Sequence, residues 1–199
     1  MSRVKALSDA ELGGLTDFFE GGSKILGFVP NSQRIMAHKP EVLRSLAQVA
    51  AAIYEPANSL LPPSLKTLIS LASSLAGGCM YCVAHTSSTS GRVGTDEDKI
   101  AAVWEFETSD LFTDAERSAL RFAQAASSVP NLVTDADFAD LRRYYGEEEI
   151  VEIVSVISLF GFLNRWNDTM ATDLEEEPVE FAGRALNGTD WDGAKHGAG

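Results

Sequence analysis

The chain contains two cysteines, Cys79 and Cys82, three positions apart in the stretch Gly77-Gly78-Cys79-Met80-Tyr81-Cys82-Val83-Ala84-His85-Thr86. One of its three histidines, His85, follows three residues later. Positions three or four apart share a helix face, so this spacing stacks two thiols and an imidazole along one side, with Thr86 joining Cys82. A cysteine in the first turn of a helix meets unpaired backbone N–H groups and the positive end of the dipole. Both favour the thiolate, as would a nearby imidazolium. Such a thiolate at Cys79 can attack a peroxide oxygen or a disulfide sulfur, and the neighbouring thiol then closes a disulfide. The same two cysteines also read as small buried apolar side chains. A metal site is the weaker alternative. Cys79, Cys82 and His85 supply three ligands, and no second Cys/His cluster completes the usual four, so no metal and no bound cofactor are expected.

Elements on either side position this stretch. Pro62-Pro63-Ser64 opens a helix whose Leu65, Leu68, Ile69, Leu71, Ala72 and Leu75 make it apolar on more than one side, and Gly77-Gly78 ends it. The cysteine helix runs from about 79 to 91. Before them, a capping box at Ser8-Asp9-Ala10-Glu11 predicts a short helix over 9–20. Leu26 to Asn31 reads as a loop, and Pro40 starts a helix with a stripe from Val42 to Ile53. After them, Thr95-Asp96-Glu97-Asp98 caps a short helix. Thr113 and Thr134 cap two more, the second reaching about Tyr145. Residues 147–173 form the longest apolar segment, a helix placed either centrally in the core or at a subunit interface. Glu175-Glu176-Glu177 reads as a solvated face. His38 reads as a solvent-facing residue at a helix start. His196 lies in a Gly-rich tail as able to stay disordered as to fold over a site.

Composition narrows the partners. With 16 Lys+Arg against 29 Asp+Glu the formal net charge is −13, which disfavours nucleic acid and anionic membranes. No apolar run reaches the roughly 18–20 residues of a membrane span. The start of the chain has no apolar leader segment, so a cytoplasmic location is expected. Thiols stay reduced there, which favours redox or metal chemistry over a structural staple.

The motif, preceded by an apolar helix and followed by a Gly near 91–94 and an acidic helix start, resembles the alkyl hydroperoxidase D/carboxymuconolactone decarboxylase superfamily, most closely its peroxidase-related branch. Phe28-Val29-Pro30-Asn31, Ala37-His38-Lys39-Pro40, Phe160 to Asp168 and Trp191 to His196 are similar as well, so the likeness covers roughly residues 20–196. It implies an all-α, single-domain helical bundle of about eight helices. Residues 1–20 would be an N-terminal extension, 21–175 the helical domain and 176–199 a tail. It also implies a homo-oligomer, from dimer through trimer to hexamer. In hydroperoxidase members the second motif cysteine is the peroxidatic one, attacking the peroxide, and the first is its proton donor and resolving thiol; carried over, these are Cys82 and Cys79.

The family pattern also has a relay Glu twelve residues before the first cysteine, where this chain has Thr67. Its His stands four after the second cysteine, where this chain has Thr86, with His85 one position earlier. Asn164, Arg165, Asn167 and Asp168 interrupt the long apolar helix. They read as a structural polar network or as lining for the cysteine pocket, with Asp168 in place of the missing Glu. The expected site is therefore Cys79, Cys82 and His85, supported by Thr67, Tyr81, Thr86 and Asp168. The expected activity is a thiol oxidoreductase acting on small hydroperoxides or disulfides and reset by an external thiol or protein reductant. The alternatives are an oligomeric binding or redox-sensing module, or a decarboxylase-like enzyme that uses His85 as acid/base.

Overall fold

The computed structural model describes residues 1–15, 18–19 and 27–197. Among them are nine α-helices and no strand: α1 Asn31–Met36, α2 Pro40–Tyr54, α3 Pro63–Ala76, α4 Met80–Arg92, α5 Glu97–Ala101, α6 Asp114–Ser127, α7 Asp135–Leu141, α8 Glu147–Met170 and α9 Glu176–Ala185. None is long and apolar enough to cross a membrane.

Helix α3 is the axis of the bundle. It packs against α4, α6 and α8, and α9 packs on α4 from the other side. Leu68, Ile69 and Leu71 of α3 are sealed from solvent, as are Val83 of α4, Leu120 of α6, and Ile153 and Val156 of α8. This explains why α3 is apolar on several sides, since a helix with neighbours all round has no face to give to water. Helix α8 is more divided. It buries Ile150, Ile153, Val156 and Ile157, yet leaves Val151 65% and Phe162 41% exposed.

Caps fix the helix starts as their residue types dictate. Thr113 and Thr134 each accept from the backbone N–H three residues on, while Glu116 and Asp137 reach back to the cap. Ser8 makes the same box with Glu11, but only the short 3₁₀ turns Asp9–Glu11 and Gly13–Leu15 follow it. The remainder of the helix expected over 9–20 falls largely outside the described residues. The segment after Thr134 is helical only to Leu141. The tail holds α9, which the acidic run of 175–177 and its Pro178 concealed. Those acids stand where a helix N-terminus favours them.

Lys66 is an exception within α3. It is 1% exposed, donates to the Ile53 carbonyl at 2.6 Å and ion-pairs with Glu152 of α8. Glu152 in turn accepts from Ser59 and from the backbone N–H groups of Leu60 and Leu61, so the pair ties the α2–α3 loop to α8. Removing one partner of a buried pair strands the other. Glu152→Leu is therefore expected to cost about 3–5 kcal/mol in a denaturant melt, with Lys66→Met on the same chain recovering most of it.

Candidate active site

The cysteines sit where α3 turns into α4. Gly77 passes so close to α8 that a Cβ there would lie 2.9 Å from the Asn164 amide nitrogen, and Gly78 takes φ +68°. These two residues let the chain reverse and deliver Cys79 as the N-cap of α4, with Cys82 one turn in. Cys79 is thus half a step outside the first helical turn, still beside the unpaired N–H groups. Both thiols are free and buried, at 0% and 3% exposure.

Their surroundings are polar. Asn167 of α8 donates to the Cys82 sulfur at 3.4 Å, and its carbonyl oxygen accepts from Thr172 Oγ1 at 3.0 Å. Thr172 can do this because Ala171 ends α8 in the left-handed conformation (φ +48°), which turns the chain back on the helix. The Thr172 carbonyl also holds Nδ1 of His196 at 2.9 Å. His196 comes from the tail and is 1% exposed. Its strap, residues 190–196, is pinned by Trp191 Nε1 donating to the Met80 carbonyl, by Leu174 N–H donating to the His196 carbonyl, and by Lys195 on Asp168 at 2.8 Å.

The two sulfurs differ electrostatically. A hydrogen bond from the Cys82 thiol holds Cys79 down from 9.0 to about 6; burial opposes this and His196 reinforces it. Burial pushes Cys82 well above its ordinary range, and the neighbouring Cys79 pushes it further. Cys79 is the first to ionise. Burial would lower the His196 pKa, but its contact with Cys79 and the Thr172 carbonyl raise it.

The motif histidine is engaged elsewhere. His85 Nε2 donates to Glu175 Oε2 at 2.6 Å, and its ring stacks on Tyr81 at 4.3 Å. The Tyr81 hydroxyl donates to the other Glu175 oxygen at 2.9 Å, which also accepts from the Asn31 backbone N–H. Glu175 is thus a partly buried hub joining α1, α4 and the start of α9, and the expectation of a solvated acidic face fails for it. Burial would raise its pKa, but the bonds from His85, Asn31 and Tyr81 outweigh that and lower it. Thr67 spends its hydroxyl on the Ser64 carbonyl, and Thr86 on the Cys82 carbonyl, each within its own helix. Asp168 faces His196 Nε2 at 3.7 Å. The structure therefore brings together Cys79, Cys82, Asn167, Asp168, Thr172 and His196, and separately His85, Tyr81 and Glu175. A cavity of about 570 Å³ adjoins the first group, lined in part by Gly77, Ser127, Asn164, Arg165 and Asp168. Among the described residues no group of His, Cys, Asp and Glu could hold a metal ion.

A profile of the carboxymuconolactone decarboxylase family matches residues 40–125, which span α2 to most of α6. The debrominase Bmp8 is 36% identical, with a TM-score of 0.83 over 92% of this chain and 97% of that one. A cysteine-to-alanine variant of Bmp8 in complex with 2,3,4-tribromopyrrole superposes as well, at a TM-score of 0.84 over 92% and 96%. The chain therefore carries a carboxymuconolactone decarboxylase-family segment over residues 40–125, in an all-helical fold shared with alkyl hydroperoxidase D-like proteins. YnjA of Escherichia coli K12 is 33% identical over 56% of this chain; the match spans 62% of YnjA, less than two thirds of its length. A peroxidase-related protein of Ralstonia eutropha JMP134 with an AhpD core shares the fold at a TM-score of 0.80 over 93% and 96%, with 23% identity.

The Glu175 hub predicts an acid-sensitive joint. A carboxylate with a lowered native pKa contributes stability that is full above its ordinary value and is lost as pH falls through the native one. Glu175→Gln is expected to lower the melting temperature at pH 7, by the equivalent of about 1–3 kcal/mol. The gap from the native chain should narrow on acidification below about pH 4.5.

Proposed function

We propose that this protein is a dithiol-dependent reductase. The Cys79 thiolate attacks the electrophilic atom of a small acceptor, and Cys82 then closes an intramolecular disulfide that an external thiol or protein dithiol reduces. The observation that carries this is the placement of two free thiols one turn apart at the start of α4, Cys79 at the N-cap and Cys82 held by Asn167; hydrogen bonding draws the Cys79 thiol down while burial pushes Cys82 up. This reverses the order that the family resemblance implies. A nucleophile with a pKa near ambient pH is close to the optimum for exchange chemistry.

With a hydroperoxide, sulfur bonds to the distal oxygen and the O–O bond breaks, giving an alcohol and a sulfenic acid at Cys79. Cys82 displaces that oxygen as water and the disulfide remains. A second acceptor class is favoured by the likeness to a debrominase over nearly the full chain. Here the dithiol gives two electrons to a carbon–bromine bond, and the products are C–H, bromide, one proton and the disulfide. The acceptor waits in the cavity beside Asn164 and Asp168, and reaches the sulfurs from that side while the 190–196 strap stays docked. The exposed apolar face of α8, with Val151, Val154 and Phe162, seats a second copy of the chain. Light scattering tests that assembly directly, and a monomer at micromolar concentration would contradict it.

Stoichiometric cumene hydroperoxide should remove both thiols per chain, with dithiothreitol restoring them. Cys82→Ser should stop after one thiol, as a sulfenic acid that dimedone captures, and Cys79→Ser should react at least tenfold more slowly. A brominated pyrrole should release one bromide per disulfide formed. Thiols that survive both acceptors would refute the proposal.

A further inference from the structure

We infer that His196, carried in by the C-terminal strap, is the acid–base residue for Cys79, in the place that sequence spacing assigns to His85. The imidazole is oriented by chemistry that leaves one arrangement. A backbone carbonyl can only accept, so the nitrogen against Thr172 O carries the hydrogen. Nε2 is then the basic nitrogen. It is buried, closes no well-formed hydrogen bond and lies against the Cys79 sulfur. Unpartnered polar atoms of this kind are rare in folded interiors and call for a reason. A base waiting for a thiol proton is such a reason.

The other groups facing His196 fit the role. Asp168 Oδ1 lies 3.7 Å from Nε2, near enough to favour an imidazolium, while Lys195 on the same carboxylate moderates its charge. The Tyr81 ring closes the remaining side at 6.0 Å. His85, by contrast, has its Nε2 committed to Glu175.

The proton then has a defined course. His196 Nε2 takes it from the Cys79 thiol, leaving a thiolate and an imidazolium in contact. When the thiolate attacks a hydroperoxide and the O–O bond breaks, the imidazolium returns the proton to the departing alkoxide. The alcohol leaves, Cys79 holds the hydroxyl as a sulfenic acid, and His196 is neutral again. Because His196 is on the strap, this acid–base group is present only while the strap is docked.

The steps after ionisation rest on the dithiol reading, but the role of His196 can be tested without turnover. In the Cys82→Ser chain Cys79 is the single thiol, so thiolate absorbance at 240 nm against pH reports it alone. With the Cys82 thiol gone the midpoint should lie above the native chain's value of about 6 and still below the ordinary 9.0, because His196 remains. Adding His196→Gln should raise it by a unit or more, whereas adding His85→Gln should move it less. A rise smaller than one unit with His196→Gln, or an equal or larger one with His85→Gln, overturns the inference. Coupling between two sites is reciprocal. The His196 ring, followed by NMR in the otherwise native chain, should therefore titrate at least one unit lower in Cys79→Ser, and an unchanged midpoint there also overturns it. If hydroperoxides and bromopyrroles fail to oxidise the thiols while these titrations behave as stated, the dithiol proposal fails and the assignment of His196 stands.

Discussion

The arrangement depends on one unfavourable placement, a sulfur that ionises near neutral pH inside a bundle that excludes water. Charge in such a setting is tolerated only where hydrogen bonds and opposite charge replace the lost solvation. Much of what surrounds Cys79 supplies one or the other. The Gly77-Gly78 reversal puts it at the amide-rich mouth of α4, Cys82 donates to it, and the strap lays an imidazole against it. The left-handed turn at Ala171 lets Thr172 orient both Asn167 on Cys82 and His196 on Cys79. One short segment after α8 therefore sets both sulfur environments.

The rest of the fold holds that segment in place. The N-terminal amine pairs with Asp173, and Ser2 donates to the same carboxylate at 2.8 and 2.9 Å. Asn31 donates to the Asp173 carbonyl and to Glu175. The first residues of the chain and the start of α1 thus clasp the 173–175 turn, and that turn anchors the strap through Leu174. Helix α3, fixed by its neighbours on three sides, provides the rigid floor. Burial of both sulfurs means that reaction with any acceptor is gated by local movement of the side chains that cover them.

The helical scaffold was legible in the sequence because its signals are local. Proline starts, Thr caps and glycine stops announce α2, α3, α6 and most of α8 before any contact is known. The site was half legible. Cys-x-x-Cys at a helix start predicts an activated thiol, and it stands at one. His85 misled because three-residue spacing promises a shared face but cannot say what waits on that face; here it is Glu175, ninety residues away. His196 and Glu175 lie in a segment whose glycines and acids resemble a solvated tail. Their roles come from long-range docking, for which composition carries no signal. Asn167 and Asp168 did carry one, as polar residues interrupting an apolar helix, and that interruption faces the sulfurs.

The central claim is that Cys79 and Cys82 form one redox couple within one chain. Mass spectrometry of the intact chain and of its peptides, after limited oxidation and without added reductant, tests it most directly. The account predicts a chain lighter by two hydrogens, with a single peptide in which Cys79 is bonded to Cys82, and return to the starting mass on reduction. An unchanged mass, or cross-linked chains in place of the internal bond, would contradict it.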